Sequence, residues 1–323
     1  MALPTSVLTP QVIRGLVAVA GRAPSLHNTQ PWRFRVAGEG LELLIEPSRA
    51  MKVSDPQARE LVLSCGAALY NLRLALRCQG LVPHVDIAPA SGEPLLLARI
   101  STEPGPPPTP DERRLLSAVI HRHTHRHGFV QPPIAATLAA AFVADVAAEG
   151  SQLHWIDDPT QITAMAELAL LADRHQDGNP AWRAEIDQWT GSGRREGIPT
   201  SAVPAVRPGA QPTDRLPVRS FLTKGGARQR RGSPGRMALI TTKGDRLVDW
   251  LAAGQSLQRM LLRATDDWVF ATYATAPLEV PALREAVRDR LGVPDHPQML
   301  LELGHARCAH PTPRRSVEDQ LTE

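Results

Sequence analysis

Apolar residues recur every three or four positions through residues 58–79, where Leu61, Val62, Cys65, Ala68, Leu69, Leu72, Ala75 and Leu76 form one broad stripe. That spacing predicts an amphipathic helix with a wide buried face, and Gly80 is placed to stop it. Shorter helical patterns run over 9–20, opened by Thr9 as N-cap and Pro10 at the first helical position, and over 111–120, 133–147, 159–174, 246–264 and 281–291. Alternation of apolar and polar residues predicts strands at 32–36 and 41–46, joined as a hairpin around AGEG. Further strands are expected at 95–100, 153–156, 237–242 and 298–303. The stretch EPGPPPTP (103–110) reads as a stiff linker. Residues 190–236 are rich in Gly, Pro, Ser and Arg without periodicity, and read as a long excursion, either a lid or a disordered insertion.

Two of the helical patterns resemble each other. CGAALYNLRLAL (65–76) and AGQSLQRMLLRA (253–264) align Gly66 with Gly254 and Leu69 with Leu257. Generic amphipathic helices match this well by chance, so alone the signal is weak. It hints at an internal duplication, with two α+β halves packed together.

Composition narrows the function. A chain of 323 residues can bury a full core, as one large domain or two small ones. The net charge is only +3, and the arginine clusters at 228–236 and 314–315 have no aromatic residues among them, which argues against a nucleic-acid partner. No run of 18 or more apolar residues predicts a membrane span, and MALPTSVLTPQ lacks the charged and apolar regions of a signal peptide. The cysteines Cys65, Cys78 and Cys308 show no metal or disulfide spacing, so a reduced cytoplasmic setting is expected. The common nucleotide loops and the GxSxG elbow are absent.

Four stretches can carry chemistry. In APSLHNTQPWRF (23–34), Pro24 and Pro31 restrict the backbone, Ser25 and Asn28 offer short polar side chains, and Trp32 anchors the following strand; the bland alternative is a polar loop with Ser25 capping locally. In RHTHR (122–126), an extended backbone puts Arg122, Thr124 and Arg126 on one face, a suitable set for phosphate. His121, His123, His125 and His127 fall on the other face, where a metal is the lesser possibility; an exposed basic turn is the bland alternative for the whole segment. APLEV (276–280) is either an ordinary loop or a stiff segment presenting backbone groups to a ligand. PRRSV (313–317) is either a solvated tail or a further phosphate contact.

Together these stretches resemble the motifs of the FMN-dependent nitroreductase superfamily, and HPQMLLELG (296–304) resembles the closing strand of that family. Ordinary members carry the phosphate motif first and bind FMN at a homodimer interface. Here the Gln-Pro-Trp motif precedes it by some 90 residues, an order that resembles the Acg-type branch, in which one double-length chain mimics the dimer. The resemblance implies an internally duplicated α+β nitroreductase-like fold, with halves at 1–105 and 106–323 and a lid or insertion at 190–236. It implies one FMN per chain. Arg122, Thr124, Arg126 and Arg315 would hold its phosphate, with Arg314 assisting. Pro24, Ser25, His27 and Asn28 would line the ring or ribityl, and Pro277, Glu279 and Val280 would cover the other side, with a backbone N–H near Glu279 aimed at flavin N5. Val280 replaces the usual glycine, and Glu302 stands where close relatives often carry arginine.

The activity implied is hydride transfer from NAD(P)H through the flavin to a small acceptor, with no side-chain acid or base required. The alternative is an FMN-sequestering protein whose lid leaves little turnover; a tailoring oxidase is a third possibility. A monomeric pseudo-dimer or weak dimer is expected, with no nucleic-acid or membrane partner.

Overall fold

The computed structural model describes residues 8–89, 92–126, 128–130, 133–191, 196–202, 234–307 and 311–322. Most of the excursion expected at 190–236 therefore lies outside the described residues, as do His127 and Cys308.

The chain opens with helix α1 (Pro10–Ala20), whose first turn is capped by Thr9 Oγ1 accepting from Val12 N at 3.3 Å. Strands β1 (Trp32–Ala37) and β2 (Gly40–Ile45) form the expected hairpin. Helix α2 (Arg59–Cys78) follows, then β3 (Leu81–Ile87) and β4 (Leu96–Pro104), giving an antiparallel sheet ordered β1-β2-β4-β3. Helix α3 (Pro110–Ala118) starts in a capping box between Thr109 and Glu112.

A second series repeats this plan. Helix α4 (Ala136–Ala148) and β5 (Gln152–Ile156) are followed by helices α5 (Pro159–Asp177) and α6 (Pro180–Trp189) and the short parallel pair β6 (Thr190–Gly191) and β7 (Ile198–Pro199). Next come β8 (Arg236–Thr242), α7 (Leu247–Asp266), β9 (Val269–Tyr273), α8 (Ala276–Glu279), α9 (Pro281–Leu291) and β10 (His296–His305). The second sheet runs β5-β8-β10-β9, again antiparallel throughout. Each sheet is thus two strands, a long helix, and two more strands paired in the same order. The second repeat carries α5–α6 and α8–α9 as insertions. The chain ends in α10 (Val317–Gln320) and β11 (Leu321–Thr322), which returns to the first sheet and pairs in parallel with β1.

The repeats pack through their long helices. Both α2 and α7 have 20 residues, and Gly66 and Gly254 are each the eighth. A methyl group on Gly66 would strike the carbonyl oxygen of Leu251, and one on Gly254 the carbonyl oxygen of Leu63. The weak match between two sequence segments is therefore a close reciprocal helix crossing. Helix α2 is long and apolar enough to span a membrane by composition alone, but it is mostly buried in this core. Arg259 and Arg263 of α7 pair with Asp145 of α4, Arg263 also with Asp111 of α3, and Arg73 of α2 shares Glu149 with Arg259, tying four helices around the crossing.

Side chains alternate as the strands require. Ala238 and Ile240 of β8 join the core under α4 and α7, whereas Met237 and Leu239 pack beneath α5 and α9. Eight elements were not legible in the pattern: β3, α6, β6, β7, β9, α8, α10 and β11. The strand expected at 95–100 runs on to Pro104, so the linker begins later.

Candidate anion and ligand site

Loop 21–30 is a tight, strained turn. Asn28 N donates to Ser25 O at 3.0 Å, and Gln30 N donates to Ser25 Oγ at 2.9 Å. His27, Asn28 and Gln30 take φ of 45°, 59° and 52°, a region that favours glycine. Such backbone costs on the order of 1–3 kcal/mol per residue and persists only where neighbours over-determine it. Here they do. Asn28 Nδ2 donates to Gly197 O and Pro313 O, both at 2.9 Å, while its Oδ1 accepts from Arg314 Nη1 at 3.0 Å. Gln30 Oε1 accepts from Arg315 N at 2.9 Å, and Trp32 Nε1 donates to Gln320 Oε1 at 2.7 Å. Gln30 and Trp32, both fully buried, thus grip the C-terminal tail.

Residues 122–126 run along the edge of β9. Thr124 bridges Ala271, His125 N donates to Ala271 O at 2.8 Å, and Thr272 Oγ1 donates to His125 O at 2.6 Å. The period-two separation is visible. His123 and His125 pack their rings against Phe270 and Phe129, with centroids 4.4 and 5.1 Å apart, while Thr124 and Arg126 border a pocket.

Arg122 sits behind that pocket with 5% of its surface exposed. Its Nη2 donates to Arg22 O at 3.2 Å, but its buried Nε and Nη1 have no partner. Arg314 Nη2 reaches the same carbonyl at 3.4 Å, and its buried Nε is also unpartnered. Arg126 makes only a long bond from Nη1 to Thr124 O, at 3.4 Å. Among the described residues, no carboxylate lies within ion-pairing distance of Arg122, Arg126 or Arg314. Burial pushes these guanidiniums down from their ordinary value, partly offset by Tyr273, with repulsion from Arg22 on Arg122, from Arg122 on Arg126, which falls to about 10, and from Arg122, Arg22 and Arg126 on Arg314, which falls to about 9. Arginine does not shed its proton near neutrality, so the depression reports an uncompensated cost of buried positive charge.

The pocket encloses about 930 Å³ of space, including its open mouth. Pro24, Ser25 and His27 line it from the strained loop. Glu60, Leu63 and Ser64 of α2 line it at positions that share a helix face. Ala169 and the acid Asp173 of α5, Leu257 of α7, Ile198, Met299 and the run 272–276 complete the wall. Arg59 Nη2 donates to Glu60 Oε1 at 2.8 Å, and the buried Asn28 closes the turn behind. Tyr273, Glu60 and Ser64 were not read from the sequence as site residues. On a helix or strand their spacing matches ordinary core packing.

Some expected residues are elsewhere. Of APLEV only Ala276 borders the pocket. The segment is a single helical turn that buries Pro277 and Leu278, and Glu279 accepts from Gln176 Nε2 at 2.8 Å and Thr275 Oγ1 at 3.3 Å. Val280 begins α9. Arg315 Nη1 donates to Gln30 O and Trp32 O at 3.0 and 3.1 Å, and Nη2 to Asp319 O. Both terminal nitrogens of its guanidinium are therefore committed to first-repeat backbone and to the tail itself, leaving only its buried Nε unpartnered.

The fold and site define an α+β protein built from two like repeats, with a pocket between them that is largely apolar, carries Glu60 and Asp173 in its wall, and has Arg126 at the end where Arg122 and Arg314 cluster. No family model matches the chain. It is 33% identical, over 98% of its length and 92% of the relative, to a Mycobacterium tuberculosis protein named "Putative NAD(P)H nitroreductase". It is 29% identical, over 98% of its length and 97% of the relative, to "Putative NAD(P)H nitroreductase acg" of the same organism. A nitroreductase from Desulfitobacterium hafniense, solved with bound FMN, aligns with 65% of this chain and 97% of its own, at 15% identity and a TM-score of 0.40. The chain belongs to the NAD(P)H nitroreductase family, in its Acg-type branch.

Proposed function

We propose that this chain binds one FMN in the pocket between its repeats and works as an NAD(P)H-dependent oxidoreductase on a small acceptor. The observation that carries the reading is the cluster of Arg122, Arg126 and Arg314: Arg122 and Arg126 are buried, Arg122 Nε and Nη1 and Arg314 Nε are buried atoms without a partner, and no carboxylate pairs with the three among the described residues. A phosphate dianion balances such a cluster, because guanidinium donors match its oxygens. The rest of the pocket suits a planar, largely apolar ring, so the residues present fit the group. Thr124, Arg126 and Arg122 would hold the phosphate, with Arg314 closing from the tail. Pro24, Ser25 and His27 would face the ring system from the first repeat, and Thr275 and Ala276 from the second. FMN, when bound, supplies the hydride chemistry that couples NAD(P)H oxidation to acceptor reduction. The protein binds, orients and excludes water, and no side-chain acid or base is needed.

The same reading divides the chain into halves at 1–105 and 106–323. The shared strand order supports that division, and so does the asymmetry of the helix crossing. Leu63 and Leu257 border the pocket, whereas their counterparts Leu251 and Leu69 are wholly buried in the first-repeat core. Core packing thus closes the equivalent positions on the other side of the crossing, which supports a single site per chain.

One observation favours sequestration as a second reading. Ile198, 2% exposed, closes one side of the pocket, and its segment is fastened by Arg49 to Glu196 at 2.8 Å and by Asn28 to Gly197. Anaerobic mixing with NADPH or NADH separates the readings. Rapid bleaching of the bound flavin supports the oxidoreductase. A flavin that dithionite reduces but neither nicotinamide does supports storage.

A further inference from the structure

We infer that the hydroxyl of Tyr273 is a direct ligand of the anion held by Arg122, Arg126 and Arg314, and so helps select a phosphorylated ligand over its unphosphorylated form. This rests on the phosphate-site reading above and adds a residue to it. Tyr273 ends β9, the strand that positions residues 122–126, and it lines the pocket. Its Oη is buried and makes no hydrogen bond of good geometry, although the Thr124 hydroxyl and the Arg122 guanidinium lie close enough to act on it. A buried phenol normally finds a partner, and an unmet one is costly to keep. The groups facing it are Thr124 and the same three arginines, whose charges oppose the upward push that burial gives the phenol.

The unmet atoms therefore belong together. Arg122 Nε and Nη1, Arg314 Nε and Tyr273 Oη are all buried donors without acceptors, contributed by neighbouring segments. A phosphate has several acceptor oxygens and no donors when fully ionised, which suits a set rich in donors: guanidinium N–H groups that only donate, and a phenol that can donate as well as accept. A cluster of cationic donors without a carboxylate also explains why a neutral Tyr, and not an acid, occupies this position. An acid there would pair with the arginines and close the site.

The test uses the full-length chain freed of flavin, with FMN and riboflavin as paired probes. Loss of a hydrogen bond to a charged group is expected to weaken FMN binding by roughly tenfold to a hundredfold in Tyr273→Phe, leaving riboflavin binding unchanged. An unchanged FMN to riboflavin ratio in that variant overturns the assignment of Tyr273. If the wild type itself binds both flavins equally, the phosphate-site reading fails with it. Should Tyr273→Phe not fold, the wild-type sequence still decides the matter, because Tyr70 and Tyr273 are its only tyrosines. Labelled with 3-fluorotyrosine, it should show one of two fluorine resonances moving on addition of inorganic phosphate, with the other fixed. If neither moves in a protein that prefers FMN to riboflavin, Tyr273 is not a ligand.

Discussion

Gly66 and Gly254 occupy equivalent positions on the two long helices, each receiving the carbonyl oxygen that lies three residues before the other. The contact is reciprocal, as in the interface of a symmetric dimer, yet both partners belong to one chain. It sets the distance between α2 and α7, and both helices contribute walls to the pocket.

Alanine at either glycine should therefore force the helices apart. Overpacking against backbone has little room to relax, and a cost of about 1–3 kcal/mol is expected for Gly254→Ala. Its melting temperature should fall by several degrees, and ligand affinity should fall with it, since the pocket lies at the same crossing. An unchanged melting temperature would show that the crossing is loose.

Much of this architecture was legible in the chain. The apolar stripe at 58–79 and the hairpin at 32–46 are strong periodic signals, and both stand where expected. What was missed has physical causes. Strand β3 is an edge strand containing Pro83 and the exposed His84 and Asp86, so its alternation is blurred. Strand β11 is two residues long and exists only through its pairing with β1. Strand β9 follows Trp268, whose φ of 54° marks an abrupt turn that no glycine advertised. At the site, the motif spacing singled out Arg122, Thr124 and Arg126 as candidates, and the structure sets Thr124 and Arg126 at the pocket wall. The spacing could not reveal that Arg315 serves the tail, because that depends on where Gln30 and Trp32 present their carbonyls.

The neighbouring arginines of the tail should separate cleanly in function. Arg315→Ala removes bonds to Gln30 O and Trp32 O, leaving buried carbonyls unmet. It should lower stability by about 1–3 kcal/mol, visible in urea unfolding, with the FMN to riboflavin preference retained. Arg314→Ala should instead reduce that preference with a smaller loss of stability. The reverse pattern would exchange their roles.

Uncompensated charge makes the ligand-free protein sensitive to anions. Phosphate or sulfate should raise its melting temperature in a saturable way, since a ligand that binds only the folded state stabilises it by mass action. In Arg122→Met the response should weaken, while the melting temperature without added anion should hold or rise. A wild type indifferent to phosphate would show that the cluster is balanced in some other way.

Acid sensitivity should centre on Asp245. Burial alone would raise this carboxyl, but Arg284 at 2.7 Å, Trp250 and Gln298 outweigh it and hold its value well below the ordinary carboxylate range. A carboxyl depressed in the folded state contributes stability that is present above its unfolded value, about 3.9, and is lost as the pH falls through its folded value. Asp245→Asn should lower stability at pH 7 and flatten the fall in stability below pH 4, measured by denaturant unfolding across pH. An unaltered pH profile would place the acid sensitivity elsewhere.

The most direct measurement is the flavin content of the purified full-length protein after incubation with excess FMN and removal of unbound flavin. One equivalent of FMN per chain is expected, with a visible flavin spectrum that is lost when Arg122 and Arg126 are both changed to alanine. A colourless protein that rejects added FMN, two equivalents per chain, or an equally yellow double variant would contradict a single phosphate-anchored site between the repeats.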